Sequence, residues 1–288
     1  WHIHNKQMRI LISFIIISII SGCTQSDIEE IANASRIEES ITPCESVAIT
    51  PDTMMKISAG SYMPLYGKDS ALVSVSHFYI DVYPVTNHQY LQFVISHPGW
   101  RRSLVKDIFA DGQYLNDWVN DTSYHENLKA QSPVTTVSWF AARAYCECLG
   151  KRLPTIDEWE YVAMADETNI DARTLDTYNQ YILHQYEKPH SYLGEIGEEA
   201  QNIWGLHDLH GLVWEWTEDF NSVMISGESR KDGINDPDLF CGSGSLGAKD
   251  LMNYAAFMRY AFRGSVKANY SIRNLGFRCA KDIKANEL

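Results

Sequence analysis

Apolar residues along this chain fall into short blocks whose spacing changes from one block to the next, and each block predicts its own element. Ser74-Val-Ser-His-Phe-Tyr-Ile-Asp-Val-Tyr83 alternates well enough for a half-buried strand. Thr86-Asn-His-Gln89 then has the pattern of a capping box, with Tyr90, Phe93 and Val94 following on one helical face. Ser138 is placed to cap a second helix in which Trp139, Ala142, Cys146 and Leu149 share a face, and Gly150 suits the position just past its end. Thr155-Ile-Asp-Glu158 is another capping box, opening a helix with Trp159, Val162 and Ala163 inward. Beyond Ala165 the periodicity gives way to Gly, Asn, Asp and Tyr, and no internal repeat is visible. Helices early and turn-rich sequence late predict an α+β domain with much irregular structure, held by buried aromatic side chains.

The first fifty residues follow a different pattern. Leu11 to Ile20 is apolar except for Ser13 and Ser18, with Arg9 just ahead of it and Ile20-Ser21-Gly22-Cys23 at its end. This is a basic segment and a short apolar segment, too short to span a bilayer as a stable helix. Small residues followed by Cys at that point resemble a bacterial lipobox, in which Cys23 would be lipidated and become the mature first residue. Residues 1–22 are therefore expected to be a lipoprotein signal peptide, with Met8 as the natural start. Residues 23–50 are expected to be the lipidated Cys and a tether rich in Ser, Thr, Ile and Glu. Thr24 after the Cys, rather than Asp, favours the outer membrane. The expected place is the cell envelope, facing the periplasm, held on the membrane through Cys23.

Composition narrows the function. The 288 residues carry 24 Lys+Arg against 37 Asp+Glu, a formal net charge of −13, and no segment is rich in Lys or Arg. The electrostatic footprint of a nucleic-acid binder is missing. Hydrophobic residues make up 45%, with 8 Trp, 16 Tyr and 10 Phe, enough apolar area to bury a sizeable core.

Four stretches carry a family resemblance. They are Phe78-Tyr-Ile-Asp-Val-Tyr-Pro-Val-Thr-Asn87, then Pro133-Val-Thr-Thr-Val-Ser-Trp139 running through Tyr145-Cys146 to Gly150-Lys-Arg-Leu-Pro-Thr-Ile-Asp-Glu-Trp-Glu-Tyr161, then Asn202-Ile-Trp-Gly-Leu-His-Asp-Leu-His-Gly-Leu-Val-Trp-Glu-Trp-Thr217, and Asn274-Leu-Gly-Phe-Arg-Cys279. In this order they resemble the formylglycine-generating enzyme (sulfatase-modifying factor) family. The resemblance implies that family's variant of the C-type-lectin-like fold, low in regular secondary structure, over residues 51–285. It also implies an export-pathway oxidase whose cysteine pair binds copper(I), activates O₂ and converts a substrate cysteine to formylglycine. Copper(I) requires such soft thiolates. Counting from Arg259-Tyr-Ala-Phe-Arg263, that pair would fall near Asp250 and Ala255; neither is Cys, and no Cys lies between Cys241 and Cys279. Copper, and formylglycine generation by that route, are expected to be absent.

The same resemblance nominates site residues. Trp214, Arg263 and Asn274 match positions lining the family's substrate cleft. Arg263 can clamp a carboxylate or peptide carbonyl with its fork, or serve only as a structural ion-pair partner. Asn274 can hold a ligand backbone or a loop. If the protein is a divergent enzyme, Tyr254, Tyr260 and Arg263 in Asn253–Arg263 are the catalytic candidates; otherwise that run is a core-facing aromatic stretch. Asp208, Gly211, Val213 and Glu215 match one of the family's calcium sites, two carboxylates and two main-chain carbonyls, although Glu215 can also serve by receiving backbone N–H bonds alone. His207 and His210 in the same stretch read as surface histidines rather than zinc ligands.

Cys146 and Cys279 match a structural disulfide of the family. With Cys23 lipidated, Cys44, Cys148 and Cys241 remain, an odd number in an oxidising compartment. Cys148 can bridge Cys241 and leave Cys44 free, or Cys241 is a thiol on a glycine-rich loop. The expected function is a lipid-anchored maturation factor acting on an exported protein or peptide substrate. The alternative is a non-catalytic scaffold or binding module of an envelope or secretion complex.

Overall fold

The computed structural model describes residues 53–64, 71–187, 193–222 and 251–284, and within the last segment the side chains from residue 255 onward. The expected signal peptide, Cys23 and the whole of the expected tether lie outside these residues.

Among the described residues, short strands alternate with five α-helices. In chain order they are β1 (Met54–Ile57), β2 (Gly60–Tyr62), β3 (Val73–Val75), β4 (Phe78–Asp81), α1 (Asn87–Ser96), β5 (Trp118–Asn120), β6 (Ser123–Tyr124), α2 (Trp139–Cys148), α3 (Ile156–Ala163), α4 (Asp176–Glu187), β7 (Trp214–Glu215), α5 (Leu251–Ser265), β8 (Leu275–Gly276) and β9 (Ala280–Asp282). β4 is the centre of an antiparallel sheet ordered β1-β4-β9, so residues near both ends of the domain pair directly. The rest are two-stranded: antiparallel β2–β3 and β5–β6, and parallel β7–β8. The fold is α+β with little regular structure. No helix among the described residues is long and apolar enough to cross a membrane.

Local rules account for the first three helices. Thr86 and Thr155 form full capping boxes with Gln89 and Glu158. The Ser138 hydroxyl accepts the Ala141 N–H, and Gly150 ends α2 with φ +67°, a conformation that costs glycine nothing.

The strand expected over residues 74–83 is two strands in different sheets. Val75 and Phe78 are both buried, while Ser76 and His77 between them are exposed. A strand alternates faces with period two, so two exposed residues in succession put the flanking segments out of phase. The chain breaks there, and His77 Nδ1 accepts the Ala59 N–H at the bend.

The main core surrounds Tyr90, Tyr145, Trp216 and Phe277 and contains the Cys146–Cys279 disulfide, whose Cα atoms are 5.6 Å apart. Beside it, Asp81 accepts the Cys279 N–H through Oδ2 and pairs with the buried Lys151 through Oδ1 at 2.6 Å. Cys148 is also disulfide-bonded; Cys241, the partner offered for it, lies outside the described residues.

Candidate functional site

Beyond Ala165 the turn-rich reading misses two helices, and both shape the site. α4 buries Tyr178, Asn179, Ile182 and Gln185, and α5 buries Ala255, Ala256, Arg259, Tyr260 and Arg263. Helical spacing is present, but polar and cationic residues occupy the inward positions. Ala255 is fully buried in a cluster with Ala172, Tyr178 and Ile182, and Met258, Phe262 and Arg263 face a cavity.

That cavity holds about 210 Å³, and Trp214, Arg263 and Asn274 all line it. The chain brings them together through β7 and β8. Trp214 pairs with Leu275 in the parallel ladder, and its N–H donates to the Asn274 carbonyl at 2.8 Å. The Trp214 ring stacks on Phe262, 4.9 Å between centroids and 19° apart, with Tyr186 of α4 at 5.1 Å. Leu209, Val213 and Met258 complete the apolar wall. Gly211 lines the cavity with φ +92°, and a Cβ there would stand 2.5 Å from Gln185 Cβ, so glycine is required on both counts.

The residue that organises the cationic side of the site is Glu160, on α3. Arg259 grips it through Nε (2.9 Å) and Nη2 (2.6 Å), and Arg263 adds a bond from Nη1 at 2.7 Å. All three side chains are buried. Burial alone would raise the Glu160 pKa, but Arg259 and then Arg263 outweigh it and hold the carboxyl at about 2. Trp159 lies beneath the Arg263 guanidinium, 4.9 Å from carbon to ring centroid, and fixes its orientation. Two guanidiniums against one carboxylate leave an excess positive charge within this trio, of which Arg263 lines the cavity. Asp219 is a weaker electrostatic neighbour of Arg263.

Arg263 is thus both the structural ion-pair partner and the cleft residue that the sequence offered as alternatives. Tyr260 packs 5.9 Å from its guanidinium, and Tyr260 is not among the residues that line the cavity. Burial, then Glu160, pushes its hydroxyl pKa up, away from proton transfer near neutral pH. Tyr254 lies on α5, and its side chain is outside the described residues.

The Asp208–Glu215 turn, matched to a calcium site in the sequence, has side-chain partners of its own. Arg278 binds both Glu215 oxygens, Nε at 3.0 and 2.9 Å and Nη2 at 2.8 Å, and Trp159 Nε1–H donates to Oε2 at 2.7 Å. Glu215 is thus engaged by the Arg278 guanidinium and the Trp159 indole N–H, donors from side chains and not the backbone N–H bonds offered as its alternative role. Asp208 (φ +58°) accepts the Gly197 N–H through Oδ2 at 2.6 Å, while Oδ1 is buried without a hydrogen-bond partner among the described residues. Burial raises its pKa against the opposing pull of that N–H.

His210 is not a surface histidine. It is buried, and its Nε2–H donates to the Ala163 carbonyl at 2.9 Å while Nδ1 meets the Tyr186 hydroxyl at 3.3 Å, a tautomer inferred from these partners. Burial, with Arg259 nearby, lowers its pKa to about 4, so it is neutral at physiological pH. His207 stacks on Tyr83 and bonds the Glu199 carbonyl.

Comparison with known proteins gives the architecture a family. The model of the sulfatase-modifying factor enzyme 1-like domain matches residues 42–283, most of the chain. The chain belongs to this family. Mouse formylglycine-generating enzyme is 30% identical over 261 residues, covering 73% of this chain and 67% of its own. Bovine inactive C-alpha-formylglycine-generating enzyme 2 is 28% identical over 254 residues, covering 72% of this chain and 78% of its own. Among solved structures, PvdO from Pseudomonas aeruginosa aligns over 82% of this chain and all of its own, at 20% identity and a TM-score of 0.45. Against this family background, position 255, where the resemblance places one thiolate of the copper pair, is an alanine packed onto α4. Asp250, the other position, lies outside the described residues.

Proposed function

We infer that the protein is an envelope-anchored maturation factor that engages an exported polypeptide in the Trp214–Arg263–Asn274 cavity, without copper–thiolate formylglycine chemistry. The convergence of those three residues on one cavity carries this reading. An aromatic wall, an amide and a guanidinium with excess positive charge suit a peptide segment presenting a carbonyl or carboxylate oxygen. The bovine relative, named as inactive, supports a role for this fold without that activity. The non-catalytic alternative also has an observation in its favour: the described cavity residues include no Cys, Ser, Thr, Lys or His to serve as nucleophile or proton carrier at neutral pH.

Two measurements on the full chain test the reading. With a cysteine-containing sulfatase peptide, copper(I) and O₂, hydrazide capture is expected to find no aldehyde, and aldehyde formation would refute the chemistry assigned above. Fluorescein-labelled decapeptides with a free C-terminal carboxylate are expected to bind, and Trp214→Ala and Asn274→Ala to weaken them about tenfold each, near 1.4 kcal/mol. Unchanged affinity in both variants would remove the cavity as the peptide site. The anchor rests on the apolar segment ending at Cys23: palmitate is expected to label the protein in cells, and Cys23→Ala to abolish the label. Equal labelling would overturn the anchor.

A further inference from the structure

The stretch from Trp100 to Phe109 turns twice, with the Val105 N–H donating to the Arg101 carbonyl and the Ala110 N–H to that of Lys106. Val105 packs against the main core and Ala110 is buried, while Leu104 and Ile108, four residues apart, stand 55% and 71% exposed. Two neighbouring segments bring further apolar side chains to this stretch. Arg101 donates through Nε and Nη2 to the carbonyls of Val94 and Ile95 near the end of α1, both at 3.0 Å. Arg102 donates to the Trp118 carbonyl of β5 at 2.9 Å, and the Ser103 N–H to Asp121 at 2.9 Å. Ile95 and Val119, carried by these segments, are exposed as well. The rings of Trp100, Phe109 and Phe140 follow one another at 5.9 and 5.4 Å between centroids, each half-buried.

The same stretch is cationic in an acidic protein. The chain carries a formal net charge of −13, yet within Trp100–Phe109 Arg101, Arg102 and Lys106 are opposed by Asp107 alone. Asp121, beside them, is committed to the Ser103 N–H and hydroxyl. An anionic surface repels such a chain as a whole, so only a local excess of cations can be turned towards it. Four aliphatic side chains cover far less than the roughly 800 Å² per partner of a stable protein interface. They suit instead the boundary between lipid headgroups and acyl chains, where shallow apolar insertion and cations on the headgroups act together.

We propose that Ile95, Leu104, Ile108 and Val119, with Arg102 and Lys106, form a surface that binds an anionic lipid bilayer. The setting rests on the anchored reading above, and the test keeps the two apart.

The full chain carrying Phe14→Asp and Ile17→Asp, which interrupt the apolar segment ahead of Cys23, is sedimented with two kinds of vesicle. One mixes phosphatidylglycerol with phosphatidylcholine, and the other is phosphatidylcholine alone. Binding to the anionic vesicles is expected, at least about tenfold tighter than to the neutral ones. In the same chain, Leu104→Ser together with Ile108→Ser is expected to weaken it at least about tenfold, and Lys106→Gln about fivefold. All three side chains are exposed, so these variants are expected to keep the parent's urea midpoint. Absence of binding to anionic vesicles, equal binding to both kinds, or full affinity in the double serine variant overturns the proposal. So does a dimer that the double serine variant abolishes while vesicles go unbound, which would make this face a contact between copies of the chain. Anionic-vesicle binding by a chain that takes no palmitate label would support the surface and remove only the anchor.

Discussion

Glu160→Gln is expected to destabilise the protein by about 3–5 kcal/mol, the usual consequence of removing one partner from a buried ion pair. The carboxylate sits between two guanidiniums, with Glu160 8%, Arg259 4% and Arg263 6% exposed at the side chain. Glutamine fills the same space and keeps one acceptor, but its NH₂ must face an arginine N–H, donor against donor. Two buried cations are then left with one acceptor oxygen and no counter-charge from this position. Urea unfolding at neutral pH measures the loss; a change below about 1 kcal/mol would mean that water reaches the arginines and the trio is not buried in solution.

The same carboxyl fixes a pH dependence. Its folded pKa of about 2 lies below its ordinary value of 4.5, so it contributes stability above that ordinary value, and the contribution is lost as pH falls from about 4.5 to about 2. Wild type should therefore lose stability steeply through this window. Glu160→Gln, already without the contribution, should show a shallower slope there. Parallel curves for the two proteins would show that Glu160 is not the group responsible.

What the sequence disclosed follows the range of each interaction. The caps at Thr86, Ser138 and Thr155 were legible because donor and acceptor lie three residues apart. The cleft trio was legible through motif resemblance. Glu160 was not: within Trp159-Glu-Tyr161 it reads as the outward position of an amphipathic helix, and its partners Arg259 and Arg263 lie 99 and 103 residues away. The available signal was the i, i+4 spacing of two arginines in a stretch without an acid, which calls for a remote carboxylate. α4 stayed hidden for a related reason, since Asn179 and Gln185 stand where an apolar stripe would have marked its inner face. Glu215 suited the family calcium pattern, and only the folded chain puts Arg278, 63 residues later, on both of its oxygens.

Replacing both Cys146 and Cys279 with Ala is expected to lower stability by about 5 kcal/mol, if the bridge acts mainly by restricting the unfolded chain across its 133-residue separation. The crosslink ties the end of α2 to the segment leading into β9, and β9 pairs with β4 to close the three-stranded sheet. Without it, the unfolded ensemble recovers the freedom of nearly half the chain, while both sites lie in a core around Tyr145 and Phe277 that can accept alanine only with some loss of packing. The double substitution is preferable to chemical reduction, because Cys148 is also disulfide-bonded and a reductant would open both bridges together. Urea unfolding of wild type and variant under oxidising conditions gives the difference directly. A loss under about 2 kcal/mol would show that the unfolded chain is already restricted by other means, and that the Cys146–Cys279 bond follows the fold more than it supports it.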